Sequence, residues 1–405
     1  MNHLNKPELR NVNVQRIVYQ GEPVFLIQDP LKLTGAAIVL PQALGPLALL
    51  CDGEHTVAEI KAALEIRYGL RLSQPVIDGL LEQFDQALLL KTSTFYEARQ
   101  QALQEYYAAS FRTPAMAGPS YPADPQYLRQ MLQGYLDQVN GVPQSPVNSR
   151  GIISPHIDYQ RGGATYAQVW ASAAEAIRQA ELIIVFGTDH NGSLGTITLT
   201  RQNYASPLGV MPTDLELVDR LAEVLGPERA FDEELHHRGE HSIELALVWL
   251  QYLRNEKPCS MLPVLCGSFQ HFMTGQAEIE TEAKFKAFVE VLRAEMATRR
   301  TVVVAAGDLA HLGPAFDGPP LDPVAQAQMK VDDEVLMDVL CQGNATEFLK
   351  FMRNGQYERN VCGLSSFYFT LSLLEQTQGQ TIAYERCLAD NNQTSFVSVC
   401  GIVLE

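Results

Sequence analysis

Between residues 47 and 90 apolar positions recur at helical spacing. Val57, Ile60, Ala63 and Leu64 mark one stripe, Val76, Leu80, Leu81 and Phe84 a second, and Asp52-Gly53 reads as a turn ahead of both. Two short helices and a closing apolar segment predict a small winged-helix-like domain over residues 1–96. Polar, alanine-rich residues 97–111 then predict a helical connector. From residue 112 the pattern changes. Asp124 is a candidate N-cap with Pro125 at the first helical position, and Tyr127, Leu128, Met131, Leu132 and Leu136 form the stripe behind it. The runs ELIIVFG (181–187), SMLPVLCG (260–267) and TVVVAAG (301–307) are the near-continuous apolar segments expected of strands covered on both faces. Amphipathic segments such as TDLELVDRLAEVL and AKFKAFVEVLRAEM separate them as helices, and the closing SFVSVCGIVL alternates like a strand. The expectation for residues 112–405 is an α/β domain with a mixed, buried sheet flanked by helices.

Reactive side chains in such sheets gather where strands end, and polar clusters fall at those places here. The apolar run 151–154 stops at Pro155-His156, and a glycine-bearing turn follows with Asp158 and Arg161. Asp189 and His190 follow the next run, Asp308 and His311 a third, and His241 with Glu244 opens the helix HSIELALVWLQYL. Imidazole suits Zn, Cu, Fe or Ni, so His156 and His190 on neighbouring strands are candidate ligands of one ion. Cys362 precedes Gly363 and an apolar helix, where the helix dipole favours the thiolate form of a ligand or nucleophile. His241 could carry protons, and Asp308 and His311 could do the same or orient a ligating histidine. His236 and His237 lie in a charged stretch and read as solvated, while His3, His55 and His271 have no partners in sequence. No GxGxxG sits in a strand-turn-helix setting, so nucleotide binding is not supported.

Composition narrows the class. A chain of 405 residues predicts more than one domain. The net charge of −17 disfavours nucleic acid and anionic membranes. The second predicted helix carries Asp78, Glu82 and Asp85 and no Lys or Arg between Ser73 and Leu90, which argues against DNA reading by the N-terminal domain. No apolar run approaches the roughly 20 residues of a membrane span, and the N-terminus lacks a signal-peptide core, so a cytoplasmic location is expected. Seven cysteines without a CxxC pair read as reduced thiols.

The order of these clusters resembles the Memo family. AGPSYPADPQYLRQML, ISPHIDYQRGG, FGTDHNG, EHSIELALVWL, LPVLCGS, GDLAHLG and VCGLSSF fall where that family has AGxWYP, APHAGYxYxG, LGPxH, EHSLEMxLPFL, PVLVG, SSDFSHYG and xxCGxxP. The resemblance implies a fold similar to class III extradiol dioxygenases such as LigB, which hold Fe(II) with two histidines and a carboxylate and use a further histidine as acid/base. Carried over, His156 and His190 would be the imidazole ligands, Cys362 the third ligand in place of the carboxylate, and His241 the acid/base. Thr188-Asp189 replaces the usual Pro-Ser before His190, and Ser365-Ser366 stands where the proline after CGxx is expected. The resemblance also implies partners of the AmmeMemoRadiSam system, a radical SAM protein and an Ammecr-family protein. LLCDGEHTVAEI and VIDGLLEQFDQALLL are similar to PqqD-like domains, which bind peptides or radical enzymes along a strand edge. Three readings follow: an Fe(II)- or Cu-dependent, dioxygenase-like redox enzyme; a non-catalytic scaffold that docks a peptide or protein; and a zinc-dependent hydrolase.

Overall fold

The structure, a computed structural model, describes residues 5–139 and 149–405; His3 lies outside them. The chain divides into two compact units, Met1–Ala109 and Ser110–Glu405.

In the first unit β1 (Asn13–Tyr19), β2 (Glu22–Gln28) and β3 (Ala37–Pro41) form an antiparallel sheet in that order. Gln20 and Gly21, at φ 52° and 85°, make the tight turn joining β1 to β2, the left-handed pair that matches strand twist. The first predicted helix is Val57–Tyr68, opened by a Thr56/Glu59 capping box and closed by left-handed Gly69. In the second, Gln74–Gln86, the stripe differs from the expected one: Ile77, Leu81 and Phe84 are buried, whereas Val76 is 47% exposed. Positions 77, 81 and 84 follow the i, i+4, i+7 rule, which Val76 misses by one residue. Residues 93–108 form one helix, so the polar stretch from residue 97 is the body of an element that begins at Ser93.

The second unit is built on an eight-stranded mixed sheet. Its strands are β4 (Gly151–Ser154), β5 (Leu182–Thr188), β6 (Ile197–Leu199), β9 (Ser260–Cys266), β10 (Thr301–Ala306), β11 (His311–Leu312), β12 (Gly379–Leu388) and β13 (Phe396–Leu404), while β7 (Tyr204–Ser206) and β8 (Gly209–Met211) form a separate hairpin. The order is β11-β13-β4-β10-β5-β9-β6, with β12 on the free side of β13. The central β4, β10, β5 and β9 are parallel, and the flanking strands antiparallel. Side chains alternate between two cores, as the two-residue period of a strand requires. Ile152, Ile183, Val185 and Val304 pack with Tyr166, Trp170 and Trp249, and Ile153, Ile184, Phe186 and Val303 pack with Leu221, Phe288, Phe367 and Leu371. β13 is buried along its whole length, so its apparent alternation is not a solvent face. Among the described residues no helix is long and apolar enough to cross a membrane.

Three local expectations change. Asp158 caps the helix Tyr159–Ser172, so Gly162 and Gly163 lie inside a helix and not in a turn. Gly163 is there for close approach, since a Cβ would stand 2.4 Å from the ring of Tyr135. Tyr127 is 64% exposed, the stripe of helix Pro125–Asp137 being carried by Leu128 and Leu132.

His237, expected in solvent, is fully buried. Its Nε2 donates to the Thr198 carbonyl at 3.0 Å and its Nδ1 accepts from the Tyr204 hydroxyl at 2.5 Å, so both nitrogens of a neutral ring are used. Burial, with the nearby Arg112 cation, holds its pKa down to about 3. The unfolded ring takes up a proton below roughly 6.5 while the native one stays neutral, so stability falls as pH falls through that window. This group alone should remove about 1 kcal/mol between pH 7 and 5.5. Urea unfolding of the wild type and His237→Gln at those two pH values checks it: the variant should lose less on acidification.

Candidate metal centre

Strand register places the first side chains. Ala306 of β10 pairs with Ser154 of β4 on one side and Gly187 of β5 on the other. The residues just beyond those carboxyl ends, His156, Asp308 and His190, therefore stand side by side where the order jumps from β4 over β10 to β5. Helix Leu364–Leu374 brings Cys362 over the end of β10. That approach needs a bare backbone, because a Cβ on Gly307 would lie 2.5 Å from Cα of Gly363. His241 arrives at the N-cap of helix Ser242–Leu253.

The three imidazoles converge, with ring centroids 5.0 Å apart for His156 and His190, 5.2 Å for His156 and His241, and 4.8 Å for His190 and His241. Their nitrogens offer ligand atoms all within 4.8 Å of one another, and His156, Asp308 and Cys362 do the same. The Cys362 sulfur lies 3.2 Å from His156 Nε2. His156 Nδ1 is 3.0 Å from the Ala306 carbonyl, which can only accept, so Nδ1 carries a proton and Nε2 faces the cluster.

Glu240 orients the other two rings. Its side chain is 4% exposed. One oxygen lies 3.0 Å from His190 Nδ1, and the other lies 3.0 Å from His241 Nδ1 and accepts the backbone N–H of His241 at 2.7 Å and of Ser242 at 3.0 Å. Hydrogen bonds to a charged group contribute about 1.5–3 kcal/mol each, enough together to offset the several kcal/mol of desolvating one carboxylate. Burial opposes ionisation, but His190 and His241 outweigh it and hold Glu240 well below the usual carboxylate range. Desolvation likewise opposes charging His190, yet Glu240 and Cys362 raise it well above the usual imidazole range. Burial would raise the Cys362 thiol; the neighbouring His156, and hydrogen bonding to His156 and His190, bring it below the usual thiol range.

Asp308 accepts the backbone N–H of His156 at 2.8 Å and places its other oxygen 3.7 Å from His156 Nε2. It thus shapes the His156 turn, while the tautomer of that ring is set by Ala306. His311 lies on the cleft wall, its Nδ1 facing the carbonyls of Leu309 and Asn360 and its proton affinity lowered by burial. The cleft above the cluster has a volume of about 420 Å³, and Met116, Leu245, Phe316 and Val397 are among its apolar walls.

Two other carboxylates go elsewhere. Asp189 bonds His236 Nδ1 at 2.8 Å and the N–H of Asn191 at 3.1 Å, and Asp189, His236 and Glu233 make a further cluster of ligand atoms. His236 is therefore ion-paired and not solvated. Glu244, one turn beyond His241, is fully buried and bonds Arg112, Tyr121 and the N–H groups of Ala115 and Met116. Sequence reasoning missed Glu240, although a carboxylate immediately before a candidate histidine was a readable signal.

The fold and the cluster together define an α/β protein with an imidazole and thiol constellation at the carboxyl ends of its strands, a set of donors that could hold a transition metal. Over residues 112–403 the chain matches the Memo-like protein family, and it belongs to that family. It is similar to a MEMO1 family protein of Methanopyrus kandleri, 33% identical over 289 residues that span 67% of this chain and 91% of the relative. A MEMO1 family protein of Aquifex aeolicus is 23% identical over 319 residues, 78% of each chain. One of Methanosarcina mazei is 28% identical over 259 residues, 62% of this chain and 82% of the relative.

Because Glu240 carries two rings at once, Glu240→Gln should weaken the binding of any ion those rings hold by about 10–100-fold, the usual penalty for losing a carboxylate behind a ligating histidine. Competition titration with a chelator of known affinity measures it. Affinity equal to that of the wild type would show that the rings hold their places without the carboxylate.

Proposed function

We propose that the Memo-like unit is a redox enzyme that uses one Fe(II) or Cu ion held by His156, His190 and Cys362. The observation that carries this reading is that two sets of converging donors, His156 with His190 and His241 and His156 with Asp308 and Cys362, share His156 beneath a cleft that the three rings line, with the Cys362 thiol of lowered pKa 3.2 Å from His156 Nε2. Soft sulfur with imidazole favours copper or iron over magnesium or calcium. Such an ion, when bound, supplies a Lewis-acidic, electron-exchanging centre.

The rest of the work falls to the chain. His241, bonded behind to Glu240 and standing beside His190, is placed to take a proton from a bound substrate and return it. His311 and Asp308 line the same cleft and hold polar groups of that substrate, while Met116, Leu245 and Phe316 keep bulk water from its apolar part. A radical SAM protein and an Ammecr-family protein are the partners in this reading. The outer edge of β1, unpaired among the described residues, would take the peptide, with Val14, Val18 and Tyr19 at 52%, 75% and 50% exposure beside it.

Metal analysis of protein purified anaerobically, alongside His156→Ala and Cys362→Ala, tests the proposal. The wild type should carry about one equivalent of iron or copper, and both variants should lose it. A wild type without stoichiometric metal, or variants that keep it, would overturn the reading and leave the cleft as a docking site. A stoichiometric zinc ion alone would point to hydrolysis.

A further inference from the structure

The strands bring His156, His190 and Asp308 to the cluster, but its other members ride on two irregular segments. Each segment is held by a buried arginine-carboxylate pair.

The first pair is Arg112 with Glu244, both side chains fully buried. Besides Glu244, the guanidinium donates from Nε to the His237 carbonyl and from Nη2 to the Glu240 carbonyl, each at 2.8 Å. Those two carbonyls belong to the stretch that ends in Glu240 and His241. The second pair is Arg359 with Asp333 of helix Pro323–Cys341, side chains 8% and 0% exposed. Arg359 also donates to the Met329 carbonyl of that helix at 3.3 Å, and the Tyr384 hydroxyl of β12 donates to the other Asp333 oxygen at 2.8 Å. Only Asn360 and Val361 separate Arg359 from Cys362, and Asn360, at φ 51°, turns the chain toward the cluster while its carbonyl faces His311.

Buried ion pairs are poor stabilisers, and apolar pairs of equal volume often do as well. What an apolar pair cannot do is fix direction: the Arg112 guanidinium holds the carbonyls of His237 and Glu240 in the stretch that reaches the cluster, and the Arg359 guanidinium ties its own segment, three residues short of Cys362, to Asp333 and the Met329 carbonyl of helix Pro323–Cys341. We infer that the two pairs are separate positioning devices of one metal centre: Arg112 and Glu244 set the imidazole side through Glu240, and Arg359 with Asp333 sets whether the Cys362 sulfur reaches the ion. The inference rests on the metal reading above.

Titration of the full chain with Co(II), followed by absorption, tests it. The sulfur-to-Co(II) charge-transfer band reports the thiolate, and the ligand-field bands report the bound ion as a whole. Asp333→Asn should lose most of the charge-transfer band per bound ion while keeping one ligand-field site. Glu244→Gln should keep the charge-transfer band per bound ion but bind Co(II) about 10–100-fold more weakly, as expected when the support behind ligating rings is disturbed. If Asp333→Asn does not fold, Arg359→Lys leaves the charge balance intact, shortens the reach, and should lose the same band.

Thermal melting of each variant is the control. Spectra and affinities unchanged from wild type would overturn the inference, and so would band and affinity falling together in both variants in step with melting temperature. Failure of the underlying metal reading looks different, since wild type and His156→Ala would then bind Co(II) alike. In that event the rate of Cys362 alkylation in metal-free protein, read by peptide mapping, decides: a several-fold change in Asp333→Asn with none in Glu244→Gln supports separate positioning, and equal rates in all three proteins overturn it.

Discussion

The pairing of β10 between β4 and β5 is the constraint on which the rest of the site depends. Parallel ladders put like ends of neighbouring strands together, so three strands that each end in a polar residue must deliver those residues to one place. Ala306 is aligned with Ser154 and Gly187, and His156, Asp308 and His190 emerge beside one another without any further device. Helices on both faces bury the strands, and the carboxyl ends are where the chain can leave them and remain accessible. The cleft is a consequence of strand order before it is a property of any side chain.

Crowding three imidazoles and a thiol at one point creates an electrostatic problem, which carboxylates resolve. Glu240 lies behind two rings, fixes which nitrogen of each faces inward, and shifts the proton affinity of His190 upward while its own falls. The His156 ring depends on a main-chain carbonyl instead, and its backbone on Asp308. The result is two kinds of support around one cluster, neutral at His156 and charged at His190 and His241. Such asymmetry makes the rings inequivalent toward an ion: His156 is backed by a neutral carbonyl, whereas His190 must give up a proton that Glu240 favours.

Most of the α/β framework was legible in the chain. A strand covered on both faces must be apolar at nearly every position, so the runs at 182–188, 260–266 and 301–306 stand out. Helix Ala283–Met296 and the Asp124-Pro125 start were readable because their capping and spacing rules are local. The β1–β3 sheet of the first unit was not, since its exposed, short strands carry little contrast between faces. The errors at Val76 and Tyr127 have one cause: apolar neighbours one position apart on a helix cannot be ranked without knowing what packs against them.

Local chemistry also determined which residue types end each strand, because a chain leaving a buried sheet must turn polar; His156, His190 and Asp308 could be named for that reason. Which of the remaining polar side chains join them was decided only by tertiary structure. Glu240 and Glu244 are the same residue type on either side of His241, yet one carries the rings and the other anchors Arg112, because Glu240 precedes the helix N-cap and Glu244 lies in its first turn, facing a different partner. His237 reads as a surface residue between charges and is buried, because Thr198 and Tyr204 from distant positions meet both of its nitrogens. Direction in space, set by contacts far apart in the chain, separates a residue of the site from its neighbour, and spacing along the sequence does not contain it.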